Sequence, residues 1–223
     1  MTTPATFRED HVLADGTRVT LRFIRPEDAP ELRRAFGRLS MRSRYQRFFA
    51  VLPELNEDMV RYLTEVDGDR HVAIVATTDS CDLKSEIGLG VARYVCLEGS
   101  PGVAEAAVTV VDEAQGKGIG RLLLRALARV ARERAVHSFR GTVLADNTRM
   151  RHLLTDVGAT LLPEDGQTLM FDVPLRWPPE SPEQEAEHPL RRLLRAAAES
   201  LGLRSPSDAA PAPEPEGGVL AGG

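Results

Sequence analysis

The sequence predicts a mixed α/β domain of the α+β kind over about residues 11–176, followed by a tail of different character. Three observations carry this reading. Runs with the two-residue alternation of half-buried strands are interspersed with runs of helical periodicity. Their order is strand, helices, several strands, helix, strand, helix, strands, with no repeat at solenoid periods. Composition then changes abruptly at Trp177.

The elements follow in order. Asp15-Gly16 supplies a turn before Thr17–Ile24, where Val19, Leu21 and Phe23 alternate with polar residues as in a strand. Pro26 suits a first helical turn, Glu27 and Asp28 favour its positive end, and Leu32, Phe36 and Leu39 continue an apolar face. Ser40 can cap a second helix to Phe49. A third is expected from about Asn56 to Val66, with Met59, Tyr62 and Leu63 turned inward. Strands are expected at His71–Thr77, Ile87–Leu97 and Glu105–Val111, the first two joined by a polar hairpin. After the glycines at 116, 118 and 120, a helix to about Arg134 gathers Ile119, Leu122, Leu123, Leu127 and Val130 on one side. Phe139–Leu144 is a strand, Asp146 or Asn147 caps a helix ended by Gly158, and strands near Thr160–Leu162 and Leu169–Leu175 close the domain.

Composition excludes several classes. The 223 residues carry 28 Lys+Arg against 33 Asp+Glu, a net charge of −5, which argues against a nucleic-acid binder. No run reaches the roughly 18–20 apolar residues of a membrane span. Residues 1–10 lack the basic start and apolar stretch of a secretory signal and read as a flexible N-terminus. Cys81 and Cys96 match no metal spacing and read as reduced thiols of a cytoplasmic protein. The tail, Trp177–Gly223, holds 8 of the 15 prolines and a net charge of −4, so the body is nearly neutral. It reads as largely disordered around a short amphipathic helix bearing Leu190, Leu193, Leu194, Ala197 and Leu201.

Chemistry concentrates in Gln115-Gly116-Lys117-Gly118-Ile119-Gly120, between a strand and an amphipathic helix. Residues without Cβ let successive backbone N–H groups turn toward one point, and the helix start adds about half a positive charge there. A phosphate suits that point. The spacing fits neither the Walker loop nor the dinucleotide fingerprint, whose third glycine would come one position later. The alternative is a glycine-rich turn without a ligand, at a cost in chain entropy.

EAQGKGIGRLLL resembles the Q/R-x-x-G-x-G/A signature of the GNAT acyltransferase superfamily, and LADNTRMRHLLTDVGA is similar to its following strand and helix. IRPEDAPELRRAFGRLSMRSRYQRFF and YLTEVDGDRHVAIVA resemble the catalytic domain of bacterial Pat-type protein lysine acetyltransferases. The likeness covers roughly Val19–Val173. It implies the GNAT fold, a mixed and mostly antiparallel sheet flanked by helices, and acetyl-CoA as co-substrate with no metal. It also implies that Gln115, Gly116, Lys117, Gly118, Ile119 and Gly120 hold the coenzyme's pyrophosphate, and that Asn147 stands at the family's asparagine. The backbone of Val108, Thr109 and Val110 would bond the pantetheine arm like an added edge strand.

In that family a glutamate precedes the glutamine by ten positions, as Glu105 precedes Gln115, and the resemblance makes Glu105 the general base. The chemistry needs one. A lysine amine with a pKa of about 10.4 is protonated at neutral pH and cannot attack a thioester until a carboxylate takes its proton. The apolar residues flanking Glu105 are expected to desolvate it. Many GNAT enzymes protonate the departing thiolate with a tyrosine where this chain has Leu154, so water or unassisted departure is expected here. His71 stands where mycobacterial-type relatives have a histidine near the active site; it either assists proton transfer or completes a hydrogen-bond network. Arg42, Arg44 and Arg47 read as a solvated face over an aromatic contact, or as contacts to the 3′-phosphate of CoA or to an acidic partner surface.

The sequence thus predicts a cytoplasmic enzyme acetylating protein lysines, without nucleic-acid or membrane partners. The alternatives are a GNAT enzyme for a small amine and a non-catalytic acyl-CoA sensor.

Overall fold

The computed structural model describes residues 7–79 and 85–175, and residues up to Leu175 belong to one compact unit. The expected tail helix and Cys81 lie outside the described residues. Eight strands form one sheet: β1 (Arg8–Val12), β2 (Arg18–Phe23), β3 (His71–Asp79), β4 (Glu86–Cys96), β5 (Val103–Val110), β6 (Ser138–Leu144), β7 (Thr160–Pro163) and β8 (Thr168–Pro174). Their spatial order is β1-β2-β3-β4-β5-β6-β8-β7, and every pair is antiparallel except β5 with β6. This mixed, mostly antiparallel sheet with flanking helices is the α+β architecture expected.

Helices cover both faces of the sheet. A turn of 3-10 helix at Pro26–Asp28 leads into α1 (Ala29–Gly37), followed by α2 (Met41–Phe48) and α3 (Glu57–Thr64). Ser40 and Asn56 cap α2 and α3 by accepting from the N–H groups of Ser43 and Met59. Their packing partners are the cluster Phe36, Leu39, Leu55, Val60 and Leu63, beside the sheet residues Ala73 and Val75. On the opposite face lies α4 (Ile119–Glu133), whose Ile119, Leu123, Leu127 and Val130 recur at helical spacing and are buried. They join Val72, Ile74, Ala76, Ala92, Tyr94, Ala104, Ala106 and Val108 in one core. Each such leucine contributes about 1.5–3 kcal/mol by leaving water. The last helix is α5 (Thr148–Asp156), capped by Asn147.

Because β3 is sandwiched, Val72 through Thr77 are all buried and its sequence runs almost continuously apolar.

Three expectations need correction. Residues 8–10 are not flexible: they begin β1, which pairs with β2 along its whole length. Its sequence, REDHV, hides the strand because a half-exposed edge is held by polar contacts, such as Thr20 donating to Asp10 at 2.6 Å and the Arg129–Glu9 ion pair. Tyr62 does not face inward: Val60 and Leu63 carry the buried stripe of α3, and Tyr62 is 56% exposed. Finally, β5 starts two residues early, at Val103, because pairing with β4 and β6 orders its small residues.

Arg22 fastens the layers. Though on β2 and 7% exposed, it donates to both carboxylate oxygens of Asp28 at 2.8 Å and to Glu86 at 2.6 Å. Burial works against ionisation of Asp28, but the bonds from Arg22 and from the Arg25 N–H outweigh it and hold this carboxyl below the usual range. A lowered folded-state pKa contributes stability that is complete above the unfolded value near 3.9 and is lost as pH falls through the folded value. Arg22→Met is therefore expected to destabilise the domain by about 2–4 kcal/mol at pH 7, as measured by urea unfolding. The difference from the parent should shrink below about pH 4.

Candidate active site

β5 and β6 run side by side for three residues only. Val103, Ala104 and Glu105 pair with Ser138, Phe139 and Arg140, while β5 continues to Val110 and β6 to Leu144. Beyond Glu105 the strands diverge, leaving a wedge. β5 stays paired with β4 through Val110, so its opposite edge, along 106–110, carries backbone groups without a strand partner among the described residues. Gly141 stands at the apex. A Cβ there would come within 2.6 Å of the Phe171 ring and 3.1 Å of the Ala106 carbonyl oxygen, so only glycine allows β6 this approach.

The glycine loop closes the wide end. Gly116 and Gly118 have φ of +81° and +90°, conformations that cost other residues about 1–2 kcal/mol. No side chain caps α4, so the N–H groups of its first turn stay available. Gln115 is tied inward: its amide donates to the Val110 carbonyl at 3.0 Å and to Asp112 at 3.3 Å, and its oxygen accepts from Arg149 at 2.6 Å. Lys117 instead meets Asp15 at 3.0 Å, in the turn before β2. Ile119 is buried in the core and offers only its backbone; the Gly120 Cα faces Leu153 closely. Asn147 is buried, and its side-chain oxygen accepts from the Met150 N–H at 3.1 Å, so that oxygen serves as the cap of α5.

Val108 is buried toward α4, while Thr109 and Val110 are partly accessible. Glu105 is exposed, contrary to the expected desolvation. Along a strand alternate residues face opposite ways, so Ala104 and Ala106 point to the α4 core and do not enclose it. Arg140, its partner across the pairing, is engaged by Asp172 at 3.1 Å. The carboxylate therefore stands at the mouth of the wedge, open to solvent.

His71 lies in the same transverse row, since it pairs with Val95, which pairs with Glu105. Arg93 is 5% exposed and lies 3.2 Å from His71 Nε2; a guanidinium can only donate, so Nε2 accepts and the ring is neutral. Burial first, and then the charge of Arg93, press the imidazole pKa below its ordinary value. The network reading of His71 is the one its contacts express, with the Tyr62 ring centroid 4.9 Å away.

Of the basic run in α2, Arg44 donates to the carbonyls of Leu39 and Pro53 and covers the Phe36 ring, an architectural role. Arg42 forms an exposed pair with Asp146. Sequence reasoning missed Arg93, Arg149 and Gly141. An arginine inside VARYVC was the available signal for Arg93, because β4 is otherwise apolar there.

Residues 18–160 match the model of the acetyltransferase (GNAT) domain, and the chain belongs to that family. It is an acetyl-CoA-dependent N-acetyltransferase. It is 32% identical over 146 residues to acetyltransferase PA5475 of Pseudomonas aeruginosa, covering 66% of this chain and 77% of that one. It is 31% identical over 186 residues to acetyltransferase Pat of Mycolicibacterium smegmatis, covering 80% of this chain but only 54% of Pat. Among solved structures, the GNAT domain of S. lividans PAT superposes with a TM-score of 0.70 at 29% identity, covering 78% of this chain and 99% of that domain.

If Gly141 sets the closeness of β6 and β8, Gly141→Ala must push Phe171 aside. Urea unfolding should show a loss of about 1–3 kcal/mol, with a larger loss for Gly141→Val.

Proposed function

We propose that this enzyme transfers the acetyl group of acetyl-CoA to the side-chain amine of protein lysines, with Glu105 as general base. One observation carries the mechanism: the three-residue pairing in the sheet's middle ends at an exposed carboxylate, and the unpaired edge of β5 leads from it to an uncapped helix. Kinship with Pat supports protein lysine as the acceptor.

The residues fit the coenzyme in two places. The free edge of β5 offers the N–H and C=O of Val108 and the N–H of Val110 to the amides of a pantetheine arm, Thr109 being bonded to β4 and the Val110 carbonyl to Gln115. The positive-φ turn at Gly116 and Gly118, with the first N–H groups of α4, offers donors to a diphosphate. Gln115 holds that turn against the end of β5, Ile119 anchors α4, and Asn147 fixes the start of α5 alongside. Lys117, partly drawn off by Asp15, adds long-range attraction.

The acceptor arrives as an ammonium. Glu105 attracts it and takes a proton, directly or through water, which the carboxylate's exposure permits. The freed nitrogen attacks the thioester carbon, and the oxyanion is met by a backbone N–H on the open edge of β5. The carbon–nitrogen bond forms, the nitrogen releases its second proton to solvent, the carbon–sulfur bond breaks, and CoA departs as a thiolate. Leu154 is buried at 3% exposure, so no tyrosine supplies a proton there and solvent does so.

Two variants separate the parts. Glu105→Gln keeps size and shape but cannot accept a proton; it should lower kcat by about 10²–10⁴-fold while the acetyl-CoA Kd from calorimetry barely changes. Gly118→Ala should do the reverse, weakening acetyl-CoA binding more than turnover of the bound complex. Equal loss of kcat and affinity in Glu105→Gln would remove the base assignment. Acetylated lysines should appear in peptide mass spectra after incubation of the enzyme with protein substrate; label confined to small amines would remove the acceptor assignment.

A further inference from the structure

Between the sheet and helices α1–α3 lies a cavity of about 360 Å³, far more than the two carbons of an acetyl group occupy. Its walls are largely apolar, with Phe36, Leu39 and Leu63 on one side and Val75 and Val91 on the other. At one end its charges close on one another, Arg22 on Asp28 and Glu86, and Arg34 on Glu31. The other end is lined by Arg47, Arg93 and Thr109.

Among the described residues, these two arginines lack anionic partners. Arg93, although only 5% exposed, gives its donors to the His71 ring and the Leu63 carbonyl. The Arg47 guanidinium lies over the Phe48 ring and forms no ion pair or hydrogen bond among the described residues. Burial and then the charge of Arg47 weaken the hold of Arg93 on its proton; burial does the same to Arg47, against the pull of Glu105. Both guanidiniums nevertheless stay charged at neutral pH. A buried cation beside a half-buried one at the end of an apolar cavity is an arrangement that an anion completes.

Their position relates them to the acyl group. Val95 pairs with Glu105, Arg93 with Ala107 and Val91 with Thr109. Alternate residues share a face, so Arg93 stands between the rows of Glu105 and Thr109, on their side of the sheet. If the thioester lies beside Glu105 with its pantetheine arm along Val108–Val110, an acyl chain turned onto this face passes Ala107 and enters the cavity toward Arg93.

We propose that the cavity accepts the acyl chain of a CoA thioester that ends in a carboxylate, a short dicarboxylic acyl group, and that Arg47 and Arg93 hold this carboxylate. The inference rests on the coenzyme placement given above. Transfer proceeds as for acetyl: the ammonium gives one proton to Glu105, the new amide bond forms as the nitrogen releases a second proton to solvent, the carbon–sulfur bond breaks with CoA leaving as a thiolate, and the distal carboxylate is unchanged. Arg47 and Arg93 act on the ground-state chain and not on the reacting atoms.

Succinyl-CoA and butyryl-CoA have acyl chains of equal length, differing in a terminal carboxylate against a methyl. Calorimetry on the full chain should show succinyl-CoA binding about tenfold tighter than butyryl-CoA. The ratio of the two constants should fall toward one in Arg47→Gln and in Arg93→Gln, and persist in part in Arg93→Lys. Arg47 is only half-buried, so Arg47→Gln keeps the test available if Arg93→Gln does not fold. Tight acetyl-CoA binding with no preference for succinyl-CoA, or a preference that survives Arg47→Gln, overturns the carboxylate site alone. Failure of all three thioesters overturns the coenzyme placement itself. With acetyl-CoA as donor, a preference for free lysine over lysine amide that Arg47→Gln abolishes would assign the cavity to an acceptor carboxylate and overturn the donor proposal.

Discussion

The site depends on an interruption of backbone pairing. A sheet gains by bonding every N–H and C=O to a neighbour, and a strand edge left open in the interior of a sheet is costly unless something else pairs with it. β5 and β6 give up that pairing after Glu105 and Arg140, and Gly141 lets β6, β8 and the Ala106 carbonyl crowd together where they part. A cleft is thereby built from main chain, which no side-chain substitution on β5 can erase. Val108 and Val110 turn main-chain groups to the cleft, whereas the expectation for Thr109 fails: its peptide groups bond β4, and only its side chain faces the cavity.

Such a cleft holds its shape only if both neighbours are rigid. β5 is clamped by seven residue pairs to β4 and backed by the α4 core, so it cannot swing to close the gap. α4 enters that core through Ile119 in its first turn, which means the helix that presents free N–H groups to the wedge is anchored at that very turn. Gln115 closes the remaining freedom by bonding the end of β5 on one side and Arg149 on the other. Binding such a preorganised turn costs a ligand little ordering entropy.

Much of this was legible in the sequence, for identifiable reasons. The α4 stripe, the Ser40 cap, a cap at Asp146 or Asn147, and the strand alternation are local patterns, and local patterns survive in one dimension. The glycine loop was legible because positive φ demands glycine at 116 and 118. What escaped was non-local. REDHV became β1 only because β2 and Arg129 supply partners from elsewhere in the chain. The exposure of Glu105 follows from which face the alanines take, and neighbours in sequence point to opposite faces, so a run of apolar flanks was the wrong indicator. Likewise nothing near Arg93 in the sequence marks it, because Arg47, which the fold brings beside it, lies 46 residues earlier.

The two faces of the sheet thus divide the labour. Toward α4 the buried residues of β3–β5 are apolar apart from the Tyr94 hydroxyl, which donates to the Asp69 carbonyl at 2.8 Å. Toward α1–α3 the same strands present His71, Arg93, Glu105 and Thr109. Charges on that face could be neutralised in pairs, as Arg22 is by Asp28 and Glu86. Around the wedge they are not: Glu105 faces solvent while Arg47 and Arg93 face the cavity. Keeping a carboxylate and two guanidiniums close yet unjoined costs stability. The arrangement is coherent for a fold that must leave a base free for a proton and cations free for an anion, and it has no purpose in one that needs only a packed core.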